Sequence, residues 1–182
     1  KKPAFVEEIY NGHAETHISL GSTDEYIAKI MRTVTENKNC GVGAIMGPYG
    51  YGKTSTAIHI WHELSNKKFL TIPPFRWHNL FQFTEAVFGW AYYKLSLVNP
   101  VEAENLRELF EEYSQQNVQQ LKDELKLTEE QVESLLKKDC LKLDMTYPQL
   151  INFCQKTSEI TLSCGFQGMV ILTDELQETL EK

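Results

Sequence analysis

The stretch Gly47-Pro48-Tyr49-Gly50-Tyr51-Gly52-Lys53-Thr54 constrains this chain more than any other, because it fits the spacing G-x-x-x-x-G-K-[ST] of a phosphate-binding loop. A backbone that aims several N–H groups at one anion must turn tightly, and Gly47, Gly50 and Gly52 supply that freedom. Such a loop is expected to follow a buried strand and to open a helix. Val42-Gly43-Ala44-Ile45-Met46 reads as the strand, with the turn-forming Asn37-Lys38-Asn39 upstream. Ala57, Ile60, Trp61 and Leu64 then recur at i, i+3, i+4 and i+7, one apolar helical stripe. An incidental glycine-rich turn would require neither flank. In this setting Gly47 to Ser55 form the cradle for a nucleotide: Lys53 is expected on the β- and γ-phosphates and Thr54 on a Mg²⁺ ion. Tyr49 and Tyr51 occupy free positions of the pattern.

Composition narrows the partners. With 42% apolar and 24% charged residues the chain has the make-up of a globular domain. No apolar run approaches the ~20 residues needed to cross a membrane, and the N-terminus lacks a signal-peptide layout, which predicts a cytoplasmic protein without membrane contact. The formal charge of −7 opposes a general affinity for nucleic-acid backbone. Residues 101–139 carry eleven acidic side chains against five basic ones, so no direct nucleic-acid contact is expected there. Cys40, Cys140, Cys154 and Cys164 form no C-x-x-C pair and read as reduced thiols.

Along the chain, residues 1–21 read as a lead-in segment with one short strand, where Gly12 argues against a helix and His13 and His17 are loop histidines rather than metal ligands. Ser22-Thr23-Asp24-Glu25 is a capping box, and Ile27, Ile30, Met31 and Val34 predict a helix over 23–36. Phe69-Leu70-Thr71-Ile72 reads as a second strand ended by Pro73-Pro74, parallel to the strand at 42–46 in a βαβ unit. The aromatic-rich stretch from Phe75-Arg76-Trp77-His78 to Leu95 predicts a buried helix or a protein contact rather than a base-stacking surface. A long amphipathic helix follows from Val101, a second begins at the capping box Thr128-x-x-Gln131, and another runs from Tyr147 to Cys164 after an Asp144-Met145-Thr146 turn.

A second motif closes the chain. Gly168-Met169-Val170-Ile171-Leu172-Thr173-Asp174-Glu175 reads as a buried strand ending in two acids. Beside a phosphate loop, Asp174 suits a Mg²⁺ ion and Glu175 suits the general base that polarises an attacking water. With both motifs in view, the chain resembles the ASCE division of P-loop ATPases, whose AAA+ and STAND members carry a Walker A loop and a Walker B strand ending in Asp-Glu. The wording Gly-x-Tyr-Gly-x-Gly-Lys-Thr with Asp-Glu-Leu-Gln is similar to large ATPases of bacterial anti-phage systems such as BREX. GTPases of the Ras type fit less well: Asn37-Lys38-Asn39-Cys40 ends in the wrong residue for a guanine-reading motif and precedes the loop. Small-molecule kinases need a basic lid that has no counterpart here.

The resemblance implies an α/β P-loop NTPase with a parallel sheet flanked by helices and a long, acidic helical insertion between the second strand and the Walker B strand. It divides residues 1–182 into an N-terminal part (1–72), the insertion (73–166) and the Walker B strand with a helix start (167–182) of a partial ATPase domain. It implies ATP and Mg²⁺ as ligands, hydrolysis that drives a larger machine, and protein partners or self-assembly. The alternative is an interaction module that holds ATP as a switch with little turnover. In ASCE ATPases a strand later in sequence than Walker B lies between the Walker A and Walker B strands. The chain has no room for it after Thr173-Asp174, so weak hydrolysis is expected of these residues alone.

Overall fold

A parallel strand pair joins regions far apart in the chain: β1 (Leu70–Phe75) lies beside β2 (Met169–Thr173), with Leu70 opposite Met169, Thr71 opposite Val170 and Ile72 opposite Ile171. The computed structural model describes residues 3–15, 23–36, 41–126, 128, 130–131, 134 and 145–174. Within them the helices are α1 (Pro3–Glu15), α2 (Thr23–Glu36), α3 (Lys53–Asn66), α4 (Leu80–Val98), α5 (Pro100–Leu125) and α6 (Tyr147–Ser163). The architecture is therefore mostly helical around a small parallel sheet, which is compatible with the α/β class.

Successive strand side chains face opposite ways, and that alternation sorts the core into two layers. Leu70, Ile72, Met169 and Ile171 pack with α4, α5 and α6 around Val87, Trp90, Leu95, Leu106 and Phe153. Val170 and Leu172 point the other way, toward α3 and the helices packed on it. In that second layer Ile60, Trp61 and Leu64 of α3 are buried, and the Trp61 Nε1–H donates to the Thr71 carbonyl at 3.1 Å. The indole therefore buries its apolar body without stranding its polar group, and α3 is tied to β1. The α3 stripe is the one the spacing predicts.

On the acidic side, Asn99 caps α5 by accepting from the Glu102 N–H at 3.4 Å, and Pro100 occupies the first turn, where a missing N–H costs nothing. Phe88 of α4 stacks on Phe110 of α5 with centroids 4.2 Å apart, and Phe110 meets Phe153 of α6 edge-on at 5.9 Å. The aromatic-rich stretch is thus a helix whose Val87, Trp90, Ala91 and Leu95 face the core. The capping boxes Thr128/Gln131 and Thr146/Gln149 both form, the latter opening α6. Helix α2 occupies the span that its periodicity predicts, although Ser22 of its cap lies outside the described residues.

Three expectations need correction. Residues 3–15 form a helix and no strand, Gly12 and His13 included. Val6, Tyr10 and Ala14, four apart, make an apolar stripe, and Tyr10 and Ala14 pack on Ile58 and Trp61 of α3. Burial of this kind outweighs the roughly 1 kcal/mol that one exposed glycine costs a helix. His17 lies outside the described residues.

Residues 42–46 are not a strand. A strand exists through its ladder, and the sheet of the described residues pairs only β1 with β2, so the expected βαβ partner is replaced by β2. Val42 and Met46 are exposed, while Ile45 rests on the α2–α3 cluster that also receives Val170. The third correction is that β1 runs through Pro73 and Pro74 to Phe75. The register shifts between Ile72 and Phe75, so the prolines fall in an irregularity of an edge strand where no ladder N–H is required of them.

Truncation at the α3–sheet junction tests this packing. Leu64→Ala, at a fully buried position, is expected to lower unfolding free energy by about 2–5 kcal/mol, whereas the exposed Leu97→Ala shifts it by less than about 0.5 kcal/mol, read by urea denaturation.

Candidate functional site

The ends of β2 and α3 converge because each is fixed by its own core contacts. Asp174 is the first residue beyond β2, held at the sheet edge by its N–H donating to the Phe75 carbonyl at 2.9 Å. Thr54 lies in the first turn of α3. The Thr54 hydroxyl donates to Asp174 Oδ2 at 2.8 Å, a contact between residues 120 positions apart. Two motifs that the sequence can only place separately therefore meet at the carboxyl ends of the parallel strands, the edge where open α/β sheets bind ligands.

The loop before α3 has the backbone that its glycines allow. Gly50 and Gly52 have φ of 82° and 73°, in the left-handed region, and Gly52 caps α3 while its carbonyl accepts from the Thr56 N–H at 2.8 Å. No side chain caps this helix start, so the positive end of α3 and its first amides are open to an anion. Lys53 turns back over the loop, its Nζ donating to the carbonyls of Gly47 at 2.9 Å and Pro48 at 2.8 Å. Tyr49 and Tyr51 project into solvent, and Ser55 is half-buried one residue beyond Thr54. Gly47 to Thr54 and Asp174 are thus brought together, while Glu175 lies outside the described residues.

The donor set suits a hard cation only in part. One carboxylate and one hydroxyl are present, and the described residues contain no cluster of three or more His, Cys, Asp or Glu side chains able to hold a metal. Ca²⁺ and structural Zn²⁺ ask for more protein ligands than that, whereas Mg²⁺ is commonly held by one or two protein groups together with phosphate oxygens and water. The residues therefore fit Mg²⁺ arriving with a nucleotide.

Two neighbours escape the motif reading. Tyr10 of α1 donates its hydroxyl hydrogen to the Pro74 carbonyl at 3.2 Å and meets Trp61 edge-on. Burial above all, and then the Asp174 carboxylate, raise the Tyr10 phenol pKa, with the Arg76 guanidinium working against both. The stripe Val6, Tyr10 and Ala14 is a signal for α1 that the sequence carries, whereas nothing local marks Arg76, because the strand expected from the sequence ends at Ile72.

Comparison with known protein families, curated proteins and solved structures finds no match for the chain. The reading of the site stands on its residues and their geometry.

The left-handed glycines give the first test of the loop. Gly50→Ala and Gly52→Ala are each expected to cost about 1–2 kcal/mol of stability. Gly47→Ala, which has open space around its Cα and no left-handed φ, is expected to cost less than about 0.5 kcal/mol, all three measured by urea denaturation.

Proposed function

We propose that this chain is an ATP-binding P-loop domain whose Mg²⁺-dependent hydrolysis of ATP drives a conformational change in a larger machine. The observation that carries the reading is the Thr54–Asp174 hydrogen bond, which unites the loop hydroxyl and the strand-end carboxylate that a P-loop ATPase needs at one metal. A glycine loop alone would be weak support. Its junction with a carboxylate 120 residues away is much harder to attribute to an incidental turn.

In this reading the open amides of α3 and the loop receive the phosphates, and Lys53 leaves the carbonyls of Gly47 and Pro48 for phosphate oxygens. Thr54 and Asp174 would hold Mg²⁺. The ion would neutralise charge on the β- and γ-phosphoryl oxygens. Glu175, next along the chain, is the residue assigned to orient and deprotonate the attacking water, on sequence position alone. The ASCE resemblance expects a Walker A strand in the sheet, and residues 42–46 form none. Ile45 and Val170 rest on one surface of α2 and α3, yet residues 41–48 share no ladder with β2.

One calorimetric and kinetic series tests the reading. Lys53→Ala is expected to weaken Mg²⁺·ATP binding by about tenfold or more with an unchanged circular dichroism spectrum. Asp174→Ala is expected to remove the Mg²⁺ dependence of binding, and Glu175→Gln to preserve binding while slowing whatever turnover is present by about a hundredfold or more. Unchanged affinity in Lys53→Ala would contradict the proposal.

A further inference from the structure

Arg76 is the one cationic side chain that β1 delivers to the edge where Asp174 lies. Phe75 is opposite Thr173 and accepts from the Asp174 N–H, so Arg76 and Asp174 are the first residues past two adjacent parallel strands. Beside them, the Tyr10 hydroxyl donates to the carbonyl of Pro74, two residues before Arg76, at 3.2 Å. Arg76 is exposed, but its backbone is held on both sides. Behind it is the β1–β2 ladder. Ahead of it the Trp77 ring meets Phe83 edge-on at 5.2 Å, the His78 N–H donates to Gln82 Oε1 at 2.8 Å, and Asn79 caps α4 by accepting from the Gln82 N–H at 2.9 Å. The backbone from which the guanidinium extends is thus fixed in place relative to Asp174.

Thr54 bonds to Asp174 and Asp174 bonds to the residue before Arg76, so two hydrogen bonds link the start of α3, the carboxylate and the end of β1 at one end of the sheet. Were the inner groups of an oligophosphate to occupy the glycine loop and its metal to be held by Thr54 and Asp174, Arg76 would be the next cationic group along from that carboxylate. We propose that Arg76 is a phosphate-contacting residue that recognises the terminal phosphoryl group of a nucleoside triphosphate, supplied in cis from the end of β1. The inference rests on the nucleotide-binding reading of the Gly47–Thr54 loop. A guanidinium suits this role because its planar fork can form paired hydrogen bonds to one phosphoryl group and stays charged at any physiological pH. It would draw the same group that Mg²⁺ would neutralise. Arg76 would then make the site sensitive to triphosphate over diphosphate.

The test compares nucleotides rather than activities. Calorimetric titration of the chain with the Mg²⁺ complexes of ADP and of β,γ-imido-ATP is run on the unaltered protein, Arg76→Ala, Arg76→Lys and Lys53→Ala, with thermal midpoints recorded for each. Arg76→Ala is expected to lose about tenfold in affinity for the triphosphate analogue while its ADP affinity stays within about twofold, and Arg76→Lys to lose less. Lys53→Ala is expected to weaken both nucleotides. If Arg76→Ala leaves both affinities unchanged, or lowers both equally, the role of Arg76 is overturned while Lys53-dependent binding still upholds the loop. If the unaltered protein binds neither nucleotide, the reading of the loop falls and this inference falls with it.

Discussion

The parallel ladder between β1 and β2 is the constraint from which the rest of the molecule follows. Parallel strands cannot be joined by a tight turn, so the chain between Phe75 and Met169 must cross back over the sheet, and it does so through α4, α5 and α6. That crossover covers one face of the sheet with the Phe88, Phe110 and Phe153 aromatic layer, which leaves the other face to α3. Once α3 is seated by Trp61 and Leu64, its first turn lies at the strand ends and Thr54 reaches Asp174. The acidic helices are therefore more than a solvated ornament, since they supply the core against which β1 and β2 are held.

The same arrangement explains the electrostatics at the sheet edge. The carboxylate of Asp174 is met by the hydroxyl of Thr54 on one side, and the charge of Arg76 is delivered by the neighbouring strand. Lys53 bonds to loop carbonyls that any phosphate-bound state would ask it to give up. Helix α1 closes the region from outside through the Tyr10–Pro74 hydrogen bond, and the ion pair between Glu7 and Lys94 joins α1 to α4 across the two layers.

Much of this was legible in the sequence where the signal is local. The α3 stripe at Ala57, Ile60, Trp61 and Leu64, the span of α2 and the capping box at Thr128 are dictated within one or two helical turns, and the structure has them. What failed was non-local. Val42 to Met46 has the composition of a strand, but composition cannot supply a ladder partner. Pro73-Pro74 looked like a stop because the register irregularity that tolerates the prolines depends on β2, far away in the chain. Helix α1 was hidden by Gly12, whose cost is offset by contacts with α3 that no local pattern announces. At the site, motif spacing singles out Gly47 to Thr54 and Asp174, which the structure brings together, while Arg76 gains its place near Asp174 only from the pairing of β1 with β2, and Tyr10 from the packing of α1.

The central claim is that segments 120 residues apart form one nucleotide site, and amide hydrogen exchange reads both at once. On addition of Mg²⁺·ATP the account predicts slowed exchange in peptides covering residues 47–56 and, in the same sample, in peptides covering 169–174, with neither change appearing in Lys53→Ala. Protection confined to one of the two segments, or absent from both at saturating nucleotide, would contradict it.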